Sequence, residues 1–227
     1  MKNKFFSLII VAFIGVAGCT VKVAPSLDSS LGMDAFENMR QINMRDVSLA
    51  LYLDPKLKNL NVEQKIRMGE FSFDIGRAFS AKLVKALAYN FRTIHIIDTL
   101  SYSGPEPVDA LMRVSLQDMD VNMAMRTGFA TISTEAYSRL SIRAEIQDAQ
   151  ENRTIWVGTT QAKEEGGSQE MGQMTYQEAG RGFASTMSSA IDKAIGDLLG
   201  QMNKSSNLHN YLAKWEQKNN GMPCAQR

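Results

Sequence analysis

The chain reads as an α+β fold: a mostly antiparallel sheet of about five strands with two long helices packed on one face. Three observations predict it. Apolar and polar residues alternate from Ile132 to Ile146, as in a half-buried strand, and runs at Leu111–Met125 and Thr154–Thr160 supply its partners. Two long segments carry apolar side chains at spacings of three and four, as helices do. Helices that bracket a run of strands, rather than alternating with each strand, belong to the α+β arrangement.

In chain order, Val47, Leu49 and Leu51 alternate with Asp46, Ser48 and Ala50 between Ile42 and Leu53, a first strand that Asp54-Pro55 ends. Within residues 63–91, Phe71, Ile75, Ala78, Phe79, Leu83, Ala86, Leu87 and Phe91 trace one helical stripe. Arg67, Glu70, Asp74, Arg77, Lys82 and Lys85 lie mostly off it, so one long amphipathic helix is expected. The β-branched run Thr93-Ile94-His95-Ile96-Ile97 predicts a short strand, and Ser103-Gly104-Pro105-Glu106-Pro107 breaks the pattern.

Between Leu111 and Met125 the apolar phase switches. Met112, Val114 and Leu116 occupy one set of alternate positions, and Met119, Val121, Met123 and Met125 occupy the other. A bulge near Gln117 and Asp118 restores a single apolar face. Arg126-Thr127-Gly128-Phe129 turns into the Ile132–Ile146 strand, and a turn at Asp148–Asn152 leads to the Thr154–Thr160 strand, completing a meander. Residues 164–174, rich in glycine and polar groups, are expected to form a mobile connection. A second helix then carries Tyr176, Ala179, Phe183, Met187, Ile191, Ile195, Leu198 and Met202 on one side. Ser205 or Ser206 caps a last helix holding Leu208, Leu212 and Trp215.

Ahead of the body, Lys2 and Lys4 precede an apolar stretch from Phe5 to Ile14, of signal-peptide rather than membrane-spanning length. It closes on Val16-Ala17-Gly18-Cys19, which resembles the lipobox of bacterial lipoproteins. That resemblance implies cleavage before Cys19, acylation of its thiol and amine, and an anchor with more than the two signals stable attachment needs. By analogy with enterobacterial sorting, Thr20 in place of an aspartate points to the outer membrane, with the body facing the periplasm. The expected division is a signal peptide at 1–18, a lipidated N-terminus and flexible tether at 19–38, a single domain at 39–217 and a polar tail at 218–227. A fully extended tether of that length would reach about 65–70 Å.

The whole chain carries 25 basic and 24 acidic side chains, a net charge of +1, and losing Lys2 and Lys4 with the leader makes it −1. Bulk charge therefore implies no nucleic-acid partner. Of the two cysteines, Cys224 would be left without an intramolecular partner and is assigned no catalytic role.

Residues able to do chemistry are sparse. His95 and His209 are the only histidines and stand far apart, and no Gly-x-Ser-x-Gly elbow occurs. Asp118 and Asp120 could pair as carboxylates, but a bulge accounts for the polar interruption. Gly180-Arg181-Gly182 does not follow a strand, so close helix packing explains it better than a phosphate cradle. Fourteen methionines are many for this length; Met123 with Met125, or Met171 with Met174, could offer soft ligands, and adaptable packing is the plainer use. No catalytic residue, cofactor or metal site is therefore expected. The places expected to meet a partner are the hairpin tip at Phe129 and the 164–174 connection with Met171 and Met174.

Two C-terminal segments, Ala190-Ile191-Asp192-Lys193-Ala194-Ile195-Gly196-Asp197-Leu198-Leu199 and Asn207-Leu208-His209-Asn210-Tyr211-Leu212, carry a family likeness. They resemble the closing helices of the YajG-like bacterial lipoproteins, which also begin with a lipobox. The resemblance implies a small periplasm-facing outer-membrane lipoprotein and transfers no catalytic residue. The expected function is thus a non-enzymatic accessory or scaffolding module that binds another envelope component. The alternative is an auxiliary of lipid or lipopolysaccharide transport, holding an acyl chain between helices and sheet. A third possibility, an enzyme acting on peptidoglycan, lacks a Glu/Asp or Cys/His signature.

Overall fold

The computed structural model describes residues 21–32, 44–66, 69–127, 131–171 and 174–221. Within them the chain forms β1 (Val21–Val23), β2 (Arg45–Leu53), α1 (Pro55–Lys58), β3 (Asn61–Ile66), β4 (Gly69–Asp74), α2 (Ile75–Leu87), β5 (Phe91–Ile97), β6 (Ala110–Thr127), β7 (Thr131–Asp148), β8 (Thr154–Met171), α3 (Tyr176–Lys204) and α4 (Ser206–Asn220). The leader, Cys19, Phe129 and Cys224 lie outside the described residues.

The class is α+β, with two sheets rather than one. A five-stranded sheet has the order β5-β2-β6-β7-β8, and a three-stranded sheet the order β1-β4-β3. The larger sheet is mixed: β2 runs parallel to both β5 and β6, while β6, β7 and β8 form the expected antiparallel meander. Parallel neighbours require a crossover, and α2 supplies it between β2 and β5. Val47, Leu49, Ala50 and Leu51 of β2 are all fully buried, as befits a central strand. The bulge in β6 falls at Gln117, where the register with β7 shifts between Leu116 and Asp118.

Two expected elements inside the 39–217 domain differ. The helix read over residues 63–91 is a β3–β4 hairpin followed by α2. Phe71 and Phe73 are buried and alternate with Glu70, Ser72 and Asp74, a period of two that the longer helical stripe masks. Asp74 then caps α2, its carboxylate accepting from the Arg77 N–H at 3.1 Å. The connection read at 164–174 is strand as far as Met171, which pairs with Thr131. Its glycines serve close packing: a Cβ on Gly167 would collide with the Thr134 carbonyl of β7.

Helix α3 runs antiparallel along β8. Lys193 Nζ donates to the Lys163 carbonyl at 3.2 Å, Gln201 Nε2 to the Thr159 carbonyl at 2.9 Å, and Asn207 Nδ2, just beyond the helix, to the Ile155 carbonyl at 2.6 Å. Its start has a full capping box, in which Thr175 and Glu178 satisfy each other's backbone N–H groups. A single apolar cluster joins α2, α3 and α4 to both sheets, with Phe79, Leu83, Leu140, Ile142, Phe183, Ile195 and Leu198 fully buried. The space between helices and sheet is occupied by these side chains.

Helix α4, capped by Ser205, closes the far end and runs to Asn220, past the expected start of the tail. The Trp215 indole N–H donates to Asp148 Oδ2 at 3.0 Å, and Asn219 Nδ2 donates to Asp109 Oδ2 at 2.9 Å. Burial pushes the Asp148 carboxyl up, but the Glu151 N–H, the Trp215 indole, the Gln150 N–H and the Lys214 charge together hold it below its ordinary value of 3.8.

A depressed carboxylate stabilises the fold fully above its unfolded pKa, and that contribution is lost as pH falls through the folded value. Docking of α4, followed by the near-ultraviolet circular dichroism of Trp215, should therefore weaken as pH falls below 3.8. Asp148→Asn should weaken docking at neutral pH and remove this part of the acid sensitivity. In the long antiparallel arm formed by β6, β7 and β8, Gly167→Ala should cost about 1–3 kcal/mol in urea unfolding, as overpacking does. Gly200→Ala, whose Cβ meets nothing within 4 Å, should stabilise α3 by about 0.5–1 kcal/mol.

Candidate functional site

The sequence predicts residues 21–32 as part of a flexible tether. They instead form a strap across the body. β1 adds a parallel strand to β4, with Val21 opposite Gly69 and Val23 opposite Phe71. Val23, Leu27 and Leu31 pack against the core cluster. A Cβ on Gly180 of α3 would lie 2.7 Å from the Pro25 ring, so the glycine lets helix and strap approach. Lys85 of α2 donates to the Ser29 carbonyl at 2.6 Å. Asp28 accepts from both the hydroxyl and the N–H of Ser30, at 2.6 and 2.8 Å, which holds its carboxyl below its ordinary value and closes a local turn.

The strap ends over a buried ion pair. Lys82 of α2, only 1% exposed, donates from Nζ to both carboxylate oxygens of Asp192 at 2.8 Å and to Ser188 Oγ at 2.7 Å. Gly32 lies directly on that carboxylate, where an added Cβ would come within 2.7 Å of Asp192 Oδ2. An ammonium with three donors meets three acceptors, the condition under which a buried charge is tolerated. The sequence groups Lys82 with the charged residues lying mostly off the apolar stripe of its helix, and the structure buries it. The signal was present, because position 82 follows Ala78 and Phe79 by four and three residues.

Two open grooves flank the strap. One of about 680 Å³ is bordered by Val21–Ser26 and, on α3, by Thr175, Tyr176, Gln177 and Arg181. The other, of about 950 Å³, lies between residues 24–29, the β3–β4 hairpin and α2, with Lys58, Asp74, Arg77 and Lys85 on its walls. Each mixes charged and apolar residues in its lining.

The residues singled out from sequence are dispersed. Met174 is 8% exposed and belongs to the core, which leaves little of it for a partner to touch. Met171 is placed by its backbone at the end of β8 opposite Thr131. Phe129 and Cys19 lie outside the described residues. Asp118 and Asp120 share one cation, at 3.0 and 3.5 Å from Arg139 Nη2 on β7. His95 sits in β5 with Nε2 3.7 Å from Glu106, whereas His209 Nε2 lies 2.7 Å from the Asn203 carbonyl on the last helical turn of α3. Met123 is buried and Met125 packs beside it against the core. Among the described residues, no three His, Cys, Asp or Glu side chains gather where a metal ion could sit.

No protein-family model matches the chain, and neither does any curated protein sequence. Solved structures with a similar chain path include a Xanthomonas campestris protein, 8% identical, with 88% of this chain and 99% of that chain covered and a TM-score of 0.45. A homologue of a neuraminyllactose-binding hemagglutinin from Helicobacter pylori is 10% identical over 77% of this chain and 94% of that chain, with a TM-score of 0.40. A minor lipoprotein from Acinetobacter baumannii is 15% identical over 72% and 94%, with a TM-score of 0.32. No residue role is carried over from any of them.

The buried pair yields a direct test. Asp192→Ala leaves an uncompensated ammonium between α2 and α3 and should cost about 3–5 kcal/mol in urea unfolding. The double variant Lys82→Met/Asp192→Leu removes both charges and should recover most of that loss.

Proposed function

We propose that the protein is a non-enzymatic lipoprotein of the bacterial outer membrane, anchored through acylated Cys19, whose α+β body binds another component of the cell envelope. The observation that carries this reading is the Val16-Ala17-Gly18-Cys19 lipobox behind a basic and apolar leader. Among the described residues no helix is long and apolar enough to cross a membrane, so attachment through a lipid is compatible with the body.

Two features favour a binding module over the transport alternative. Side chains fill the space between helices and sheet that an acyl chain would need. The open volume instead lies in surface grooves beside the strap, and the larger of them, walled by Lys58, Asp74, Arg77 and Lys85, is within reach of an external partner. The likeness of residues 190–199 and 207–212 to YajG-like lipoproteins accords with this assignment. The partner is expected to be an envelope protein, with neither nucleic acid nor a cofactor involved.

Cys19→Ala should abolish incorporation of labelled palmitate and shift the protein from the membrane to the soluble fraction. Persistence of both in the variant would refute the anchor. For the binding role, a photoreactive residue at Arg77 in the larger groove should crosslink the native protein to a discrete envelope protein in intact cells. Absence of any adduct there, at the Phe129 tip and at Met171 would count against it.

A further inference from the structure

The strap changes what the anchor can do. Val21 begins β1 and is hydrogen-bonded into the small sheet, so only Thr20 separates the docked chain from Cys19. Two residues span at most about 7 Å. Whatever surface holds the acyl chains therefore lies against the part of the body where β1 begins.

Several elements converge there. Val21 pairs with Gly69, whose Cα packs against the ring of Tyr176, the first residue of α3. Tyr176 in turn follows the end of β8 by five residues. The start of β1, the start of β4 and the first turn of α3 thus share one end of the molecule, and α4 closes the other, about 43 Å away along the 29 residues of α3.

The chemistry of this end suits a lipid surface. Val21 is 44% exposed at the edge of the sheet, an apolar side chain left in water. Beside it the Lys22 side chain is 80% exposed, with Nζ 3.8 Å from the Glu70 carboxylate. Exposed Arg181 lines the groove behind them. Lys22 and Arg181 share their charges with Glu70 and Glu178, and at a headgroup boundary such cations can meet phosphates while the apolar side chain beside them meets the acyl edge. By contrast, the apolar side chains Leu208, Leu212 and Trp215 of α4 are buried.

We propose that this end, comprising β1, the first turn of α3 and the groove between them, rests on the phospholipid surface that holds Cys19, with α4 directed away from it. The proposal depends on the lipid anchor proposed above, and the two fail differently.

The test uses the full lipidated chain carrying Cys224→Ser, reconstituted into vesicles of phosphatidylethanolamine and phosphatidylglycerol, some bearing a nitroxide on the headgroup. An environment-sensitive dye is attached through Gln177→Cys on the first turn of α3 or through Gln217→Cys on α4. Emission at 177 should be quenched by the nitroxide lipid, and emission at 217 should not. A long Gly-Ser insertion between Thr20 and Val21 should keep the protein on the vesicles and abolish quenching at 177. Protein that floats with vesicles but shows equal quenching at 177 and 217, or quenching that survives the insertion, overturns the apposition alone. Protein that does not float with the vesicles at all overturns the anchor, and the apposition with it.

Discussion

Three 18-residue strands, β6, β7 and β8, form a meander with Met112, Val114, Leu140, Ile142, Ala144 and Ala162 on one shared face, and in water such a face has to be covered. Most of the architecture follows from that need. α3 is long because the arm is long, and it follows β8 from one end to the other. The helix can settle closely there because the arm carries glycine and other small residues under it, Gly166 lying against Thr186 of α3. β2 pairs with β6 only as far as Val114. Beyond the bulge at Gln117, the small sheet takes over beside the arm, and Gln64 of β3 donates to the Val121 carbonyl at 2.8 Å.

The small sheet and the strap form a second layer that depends on the first. Phe71 stands edge-on to Phe183 of α3, with ring centroids 5.3 Å apart, so β4 is positioned by the helix that covers the arm. β1 then pairs with β4, and the strap continues over α3 and α2 until Gly32 reaches Asp192. A buried ion pair between two helices contributes little net stability beside an apolar equivalent, but it ties its partners to one geometry. Lys82 can satisfy its three donors only if α2 and α3 hold one register, and the backbone of the strap seals that geometry from outside.

Much of this order is legible in the chain. The meander, the bulge and the capped C-terminal helices each leave a local signal: alternation, a switch of phase, a serine before a helical stripe. Where sequence and structure part, the cause is tertiary. Phe71 fits both a strand of period two and the stripe leading into α2, and only its pairing with β1 and β3 decides. Gly166 and Gly167 look like loop residues because glycine usually marks a turn, yet here they admit a helix and a neighbouring carbonyl. The parallel pairing of β2 with β6 joins residues some sixty positions apart, which no local pattern records. The strap is the hardest part to read, since Val23, Leu27 and Leu31 recur every four residues, a spacing that fits both periods and decides neither, with Pro25 and a serine-rich run between them, and the strap packs on β4, α3 and α2 in turn.

That last difference bears most on how an anchored body would work. Read as a free tether, residues 20–38 would let the body sample a shell about 65–70 Å deep. With residues 21–32 docked, the free length shrinks to the two residues from Cys19 to Val21. Recovering reach means undocking the strap, which exposes Val23, Leu27 and Leu31 at about 1.5–3 kcal/mol for each side chain fully uncovered. It also breaks the β1–β4 pairing and opens the carboxylate of Asp192 to water. Reach and a sealed α2–α3 interface therefore exclude each other. A body anchored this way would present a fixed set of surfaces to its surroundings, and the position of any partner relative to the membrane would then become part of its recognition.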